Sequence, residues 1–323
     1  VSKGFASVFP EAHLYDFDDW LNDLDDSSKP VGGATDAVAL FVGNLSHLPE
    51  AWLGMHKEMW VMVAPNSNMI GPDLQGLLKS VDHLMGPSEW ACEVLRSFFP
   101  DKIVKCVPHG VSEQFKAPEE REKFVGYRAL HMSSSVMERK GTDVLLEAWA
   151  QAEVPSDSIL YISVPRGKTL DFLDLAEDLK IRDSVKISDR LDLEEDRMSR
   201  LYASMDLVIQ PSRGEGFGLV PLEARACGTP VLMTDSTGHS QHAGGPGCSI
   251  IPTGALAPID DFPGAMAPSL SVRDVAECLR RAYSERTRLS AEAIQASAEI
   301  RKKWSWESQL KEFKDDIIGS VQK

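Results

Sequence analysis

Short apolar runs alternate along this chain with polar or helix-patterned stretches, and the alternation predicts strands and helices in turn. In the first third, 37–42 (Ala-Val-Ala-Leu-Phe-Val) and 59–64 (Met-Trp-Val-Met-Val-Ala) read as buried strands. The run 103–107, ended by Pro108, reads as another, as does the more polar 12–17. Helical composition fills 72–80 and 88–99, and the Asp-, Ser- and Gly-rich stretch 23–33 reads as an exposed loop. The segment 112–122, polar with Pro118 and several charges, reads as a linker. Beyond it, 128–133, 158–164, 185–188, 207–210 and 230–234 read as strands, with a helix over 143–150 and further helical runs between the later strands. Two surface helices, 272–286 and 291–303, follow. Strand-helix alternation of this kind implies a parallel sheet covered on both faces. Two such series on either side of a linker imply two doubly wound halves.

Composition narrows the class. With 323 residues, 43% hydrophobic and 26% charged, the chain has the size and balance of two ordinary globular domains. No apolar run approaches the roughly 18 residues of a membrane span, and no basic, apolar leader opens the chain. The numbering begins at Val1 rather than Met, which leaves room for a longer product. Five scattered cysteines, Cys92, Cys106, Cys227, Cys248 and Cys278, form no Cys-x-x-Cys pair. They read as buried free thiols, so a reducing cytoplasm is the expected setting. A net charge of −15 argues against a nucleic-acid or anionic-membrane partner.

Candidate chemistry concentrates at 213–223, Arg-Gly-Glu-Gly-Phe-Gly-Leu-Val-Pro-Leu-Glu. A strand ending at Pro211-Ser212 precedes it, and a helix from Leu219 to Cys227, stopped by Gly228-Thr229-Pro230, follows. Strand, Gly-rich loop and helix in that order aim backbone N–H groups and a positive helix end at one spot, a natural phosphate site. Glu215 stands in the loop and Glu223 roughly two turns into the helix. A phosphate site flanked by two carboxylates suits a ligand with both phosphates and hydroxyls, such as a nucleotide sugar.

Glu-x7-Glu inside Pro-Ser-x-x-Glu-Gly-Phe-Gly-x-x-x-x-Glu-Ala resembles the signature of the retaining GT-B glycosyltransferases of the family-four group. Three further stretches agree in order and spacing: Val-Pro-His-Gly-Val at 107–111, Glu-Arg-Lys-Gly-Thr-Asp-Val-Leu-Leu-Glu-Ala at 138–148, and Trp-Ser-Trp-Glu at 304–307. The resemblance covers roughly 85–310 well and the first 80 residues loosely. It implies an α/β GT-B fold, two Rossmann-like domains facing a central cleft, with a shortened N-terminal domain. Relatives open with a strand and a Gly-rich loop, of which only Lys3-Gly4-Phe5-Ala6 is a candidate remnant. The implied domains are 1–115 on the acceptor side, 116–303 for the donor, and a C-terminal helix 304–323 crossing back to the first.

The resemblance also assigns roles. Glu223 would hydrogen-bond the donor ribose, and Glu215 would lie by the donor sugar. Lys140 would stabilise the departing diphosphate. Relatives often place an arginine five residues before that lysine; here the position is Ser135, with Arg139 as the alternative cation or else a solvated surface charge. Amides of Gly216, Phe217, Gly218 and Leu219 would contact sugar or phosphate, with the Phe217 ring as packing. Asn44, Ser46 and His47 follow a first-half strand, with His47 the candidate near the donor sugar. His109 reads as a turn residue, and Trp304 and Trp306 as hydrophobic anchors. His239 and His242 form a His-x-x-His without a third ligand, so no metal is expected. The implied activity is metal-independent, retaining transfer from a UDP- or GDP-sugar, bound as substrate, to an acceptor hydroxyl. Alternatives are a GT-B-like epimerase or phosphorylase, a non-catalytic nucleotide-sugar-binding subunit, and an enzyme glycosylating modified DNA bases, which the charge disfavours.

Overall fold

The structure is a computed structural model that describes residues 7–8, 38–42, 58–121, 125–165, 169–189, 193–260 and 263–321. The stretches 12–17 and 23–33 lie outside the described residues. The chain divides into two compact units: Val1–Pro65, Met69–Gly110 and Trp304–Lys323 form the first, and Asn66–Asn68 with Val111–Lys303 the second.

In the first unit, β1 (Val38–Phe41), β2 (Glu58–Met62), β3 (His83–Gly86) and β4 (Ile103–Cys106) form a parallel sheet in that order. Alternation along β2 decides its two faces. Met59 and Val61 pack with Leu84 and Val104 against Leu78, Leu95 and Phe99 of the connecting segments. Trp60 and Met62 pack with Met85 against Trp306, Leu310 and Phe313 of the final helix, Trp306–Val321. Both faces are covered, which is why β2 is almost wholly apolar. The helix Glu89–Phe98 starts where Ser88 Oγ accepts the Ala91 N–H at 3.1 Å.

The second unit has six parallel strands: β5 (Arg128–Met132), β6 (Ile159–Val164), β7 (Val185–Asp189), β8 (Leu207–Gln210), β9 (Val231–Thr234) and β10 (Cys248–Ile251). Their order is β10-β9-β8-β5-β6-β7. Helix Thr142–Gln151 buries Val144, Leu145, Leu146, Ala148 and Trp149 against this sheet, and Val272–Ser284 adds Val275, Ala276, Leu279 and Ala282. The two expected helices, 272–286 and 291–303, are Val272–Ser284 and Arg286–Lys303. A two-stranded antiparallel hairpin, β11 (Leu256–Pro258) with β12 (Met266–Pro268), completes the unit.

Two features depart from the sequence reading. Strands β3, β10 and the hairpin were not expected; β3 (His-Leu-Met-Gly) is too short and mixed to announce itself. The stretch read as a linker is fastened to the second unit: Phe115 is buried against Tyr202, and Arg121 donates to Thr229 Oγ1 at 2.6 Å. Among the described residues no helix is long and apolar enough to cross a membrane.

Candidate functional site

Open parallel sheets bind ligands beyond the carboxyl ends of their strands, at the point where strand order reverses. Here that point lies between β5 and β8. The connection β5-β6-β7 runs to one side and β8-β9-β10 to the other. The segments after Met132 and Gln210 therefore form the expected crevice, and the candidate residues lie on them.

These two segments touch backbone to backbone. Gly141 has φ +66, and a Cβ there would fall 2.1 Å from the Pro211 carbonyl oxygen, so a side chain is excluded. Arg213 N–H donates to Arg139 O at 2.8 Å, and the Arg213 guanidinium grips Asp143 with two bonds of 3.0 and 3.1 Å. Beneath them His131, fully buried, joins both strands to the helix. Its Nδ1–H donates to Ile209 O at 2.9 Å, and burial holds its pKa down at about 4. Its Nε2 is thus an acceptor, filled by the Thr142 hydroxyl at 2.8 Å.

Glu215 is the hub. Lys140 Nζ donates to its Oε1 at 2.5 Å and Ser212 Oγ to the same oxygen at 2.8 Å. Arg139 Nη1 stands 3.6 Å from Oε2 while donating to Gly214 O at 2.8 Å. Burial alone would raise the Glu215 pKa. The Lys140 charge, followed by that of His239, which is protonated in this acid range, and that of Arg139, outweighs burial and holds the carboxyl at about 2. Arg139 and Lys140, though adjacent in sequence, converge on one carboxylate because their short helix, Met137–Lys140, ends there. Arg139 is buried, which overturns its reading as a solvated surface charge.

The segment after β9 clasps the Gly-rich loop from below. Gly238 N–H donates to Glu215 O at 2.8 Å, and Glu215 N–H donates to Thr237 Oγ1 at 3.1 Å. Gly218, with φ +86, precedes the helix Leu219–Ala226; a Cβ on it would sit 2.1 Å from the His239 ring. Thr234 Oγ1 gives its hydrogen to Ser212 O at 2.7 Å, so it accepts from His239 Nδ1–H at 3.2 Å. His242 Nε2–H donates to Phe217 O at 3.0 Å, and its ring lies 5.0 Å from the Phe217 ring. Burial keeps both histidines neutral, with pKa values lowered to about 4 and about 3. They are packing and tautomer-fixed hydrogen-bonding residues of the loop.

Glu223 is the fifth residue of the helix Leu219–Ala226, just over one turn in rather than the two expected. Tyr202 donates to its Oε2 at 3.0 Å. Burial pushes its pKa up to about 7, against the pull of that bond and with help from the Glu195 charge. The two glutamates are therefore driven apart, one ionised throughout and one titrating near neutrality.

Of the remaining candidates, the backbones of Gly216, Phe217 and Gly218 line the loop, and Leu219 opens the helix, whose first N–H groups have no intrahelical acceptor. Ser135 is exposed on the segment after β5 and takes no part in the Glu215 cluster. Asn44, Ser46 and His47 lie outside the described residues. His109 is buried beside Trp306, ring centroids 5.8 Å apart, where Trp306 anchors the first unit as expected. Sequence reasoning missed the roles of Ser212, Tyr202, Thr237 and the Arg213–Asp143 fork. Only Ser212, polar at the end of an apolar strand, carried a local signal.

The chain is similar to known proteins in sequence and in fold. Residues 127–271 match the model of the family described as glycosyl transferases group 1. A D-inositol 3-phosphate glycosyltransferase of Gordonia bronchialis is 35% identical over 145 residues, 42% of this chain and 31% of that one. The matched stretch thus spans about a third of that relative's length. Among solved structures, Anabaena Alr3699/HepE in complex with UDP and glucose superposes with a TM-score of 0.65 at 14% identity, covering 83% of this chain and 74% of that one. The pneumococcal O-GlcNAc transferase GtfA in complex with UDP and GlcNAc gives 0.62 at 15% identity, covering 90% and 58%. The fold is GT-B.

Proposed function

We propose, from the premise that residues 127–271 are a glycosyl transferases group 1 domain, that this protein transfers a sugar from a nucleoside-diphosphate donor to an acceptor hydroxyl with retention at the anomeric carbon. One observation carries the reading: two cations, Lys140 and Arg139, are fixed by Glu215 at the strand-order reversal, beside the N-terminus of the helix Leu219–Ala226. Loss of the diphosphate leaving group develops negative charge at that place. Charges already held in position stabilise it without reorganisation.

Glu215 has capacity left for substrate. Its Oε1 takes both Lys140 and Ser212, whereas among the described residues Oε2 faces only Arg139, at 3.6 Å. Oε2 is the oxygen to receive a donor-sugar hydroxyl. Glu223 receives the ribose hydroxyls, in competition with Tyr202. Chemistry proceeds by leaving-group departure, with the acceptor attacking from the same face and passing its proton to the leaving phosphate oxygen. No protein nucleophile is required. UDP is the first nucleotide to test because the two structural neighbours are complexes with UDP. A phosphorylated polyol is the first acceptor, because the curated relative acts on D-inositol 3-phosphate.

The test is thermal stabilisation by UDP, GDP and their sugars, on the wild type and on Glu223→Ala. Ligand at about 100 times its dissociation constant adds roughly 2.7 kcal/mol, several degrees in Tm for a domain of this size. A nucleotide-selective shift that disappears in the variant is the expected result. Absence of a shift with every nucleotide would remove the donor-site assignment.

A further inference from the structure

Gly86 ends β3 and Cys106 ends β4, and the two are register partners in the parallel sheet of the first unit. Register partners point to the same face. That face is the one under the helix Glu89–Phe98, because Leu84 and Val104, two residues earlier on each strand, share a cluster with Cys92 and Leu95 of the helix. Gly86 has no side chain to fill the space there. A Cβ on it would lie 2.6 Å from Cys92 Sγ, so the thiol occupies the room that glycine leaves and donates to Gly86 O at 3.7 Å. Adjacent strands are about 4.8 Å apart, which brings the Cys106 side chain up to the Cys92 sulfur. Interaction between the two thiols draws Cys92 below the ordinary thiol range and pushes Cys106 above it. Cys92 is fully buried, whereas Cys106 is half-buried and reachable.

We propose that Cys92 and Cys106 are a reversible redox site, closing a disulfide that staples the helix Glu89–Phe98 to β4 when the protein meets a peroxide. One sulfur attacks the peroxide, forming an S–O bond as the O–O bond breaks, and the departing hydroxide takes the thiol proton to become water. The second sulfur then attacks the sulfenic sulfur; the S–S bond forms and a second water leaves with the remaining proton. Two thiols are oxidised and one peroxide is reduced to two waters. The pair is held by the fold: the cysteines are fourteen positions apart in sequence, and only the β3–β4 register and the missing Gly86 side chain bring them together.

The full chain is treated with hydrogen peroxide, unfolded, blocked with iodoacetamide and digested with trypsin. Peptides 80–96 and 106–116, which carry Cys92 and Cys106, are expected as one linked species lighter by two hydrogens and separable by reduction. Cys227, Cys248 and Cys278 should take the alkyl label. The oxidised chain should melt several degrees higher than the reduced one, and Cys92→Ser should lose both the link and the rise. The wild-type digest decides even if that variant fails to fold. Equal labelling of all five cysteines, or oxidation of Cys106 with Cys92 left free to alkylate, would overturn the proposal.

Discussion

The two units solve the same packing problem and end in different chemistry. Each is a parallel sheet with helices against it, apolar on both faces. In the first, the described strands run β1-β2-β3-β4 without reversal. Its β3 and β4 end in Gly86 and Cys106, beneath a helix that closes over them. In the second, the order reverses between β5 and β8, and the ends of those strands lead into Lys140, Arg139, Ser212 and Glu215. A reversal leaves successive helices on opposite sides, so no helix covers the junction and charged groups can gather there. Without reversal, the next helix packs over the strand ends and covers what gathers there: Cys92 is fully buried and Cys106 half-buried.

The sharpest way to break this contrast is Lys140→Met. Losing one preorganised charge at a leaving group should lower kcat/KM for the proposed transfer by about 10²–10³. It also leaves Glu215 buried with a weaker set of partners, at a cost of about 3 kcal/mol in denaturant unfolding. Steady-state kinetics with unaltered turnover would show that the cluster is structural only.

A smaller effect should follow from Glu223, whose folded pKa of about 7 lies above its ordinary value of 4.5. Its contribution to stability is full below the unfolded pKa and is lost as pH rises through about 7. The expected loss between pH 4.5 and 7 is on the order of 1–3 kcal/mol, and Glu223→Gln should flatten it. Glu215, held at about 2, runs the other way: its contribution is present above 4.5 and lost as pH falls toward 2. In the proposed donor site a ribose hydroxyl donates to the ionised form of Glu223, so nucleotide binding at pH 6 should release a proton. Calorimetry in two buffers of different ionisation enthalpy measures that directly, and equal heats in both would contradict it.

The smallest change tests the other side of the contrast. Ser88→Ala removes the cap of the helix Glu89–Phe98 and should cost about 1 kcal/mol. If the first unit's strand ends take no part in donor binding, the nucleotide dissociation constant should stay within twofold of wild type. A tenfold weakening in an isothermal titration would mean the two are coupled.

Local pattern carried much of this. The run 207–210 was read to the residue, because four consecutive apolar or buried positions stopped by Pro211 leave a strand little latitude. The Glu215 and Glu223 loop was legible for a similar reason: strand, glycines and helix are all written in consecutive residues. Short β3 was not legible, since its pairing with Trp60, Val61 and Met62 on one side and with 103–106 on the other, rather than its own composition, makes it a strand.

Charge and burial were the harder part. Whether Arg139 meets solvent or Glu215 depends on where β8 delivers residue 214, seventy-five positions further on. That Glu223 titrates near 7 and Glu215 near 2 depends on Tyr202, Glu195, Lys140 and His239, none of them adjacent to the glutamates in sequence. His239 looked like half a metal motif, and the fold spends it as the floor under Gly218. Consecutive residues determine which segments become strands, turns and helices, because backbone preference and hydrophobic period are short-ranged. Desolvation, counter-charges and the meeting of Cys92 with Cys106 are sums over neighbours from distant segments, and only tertiary structure decides those.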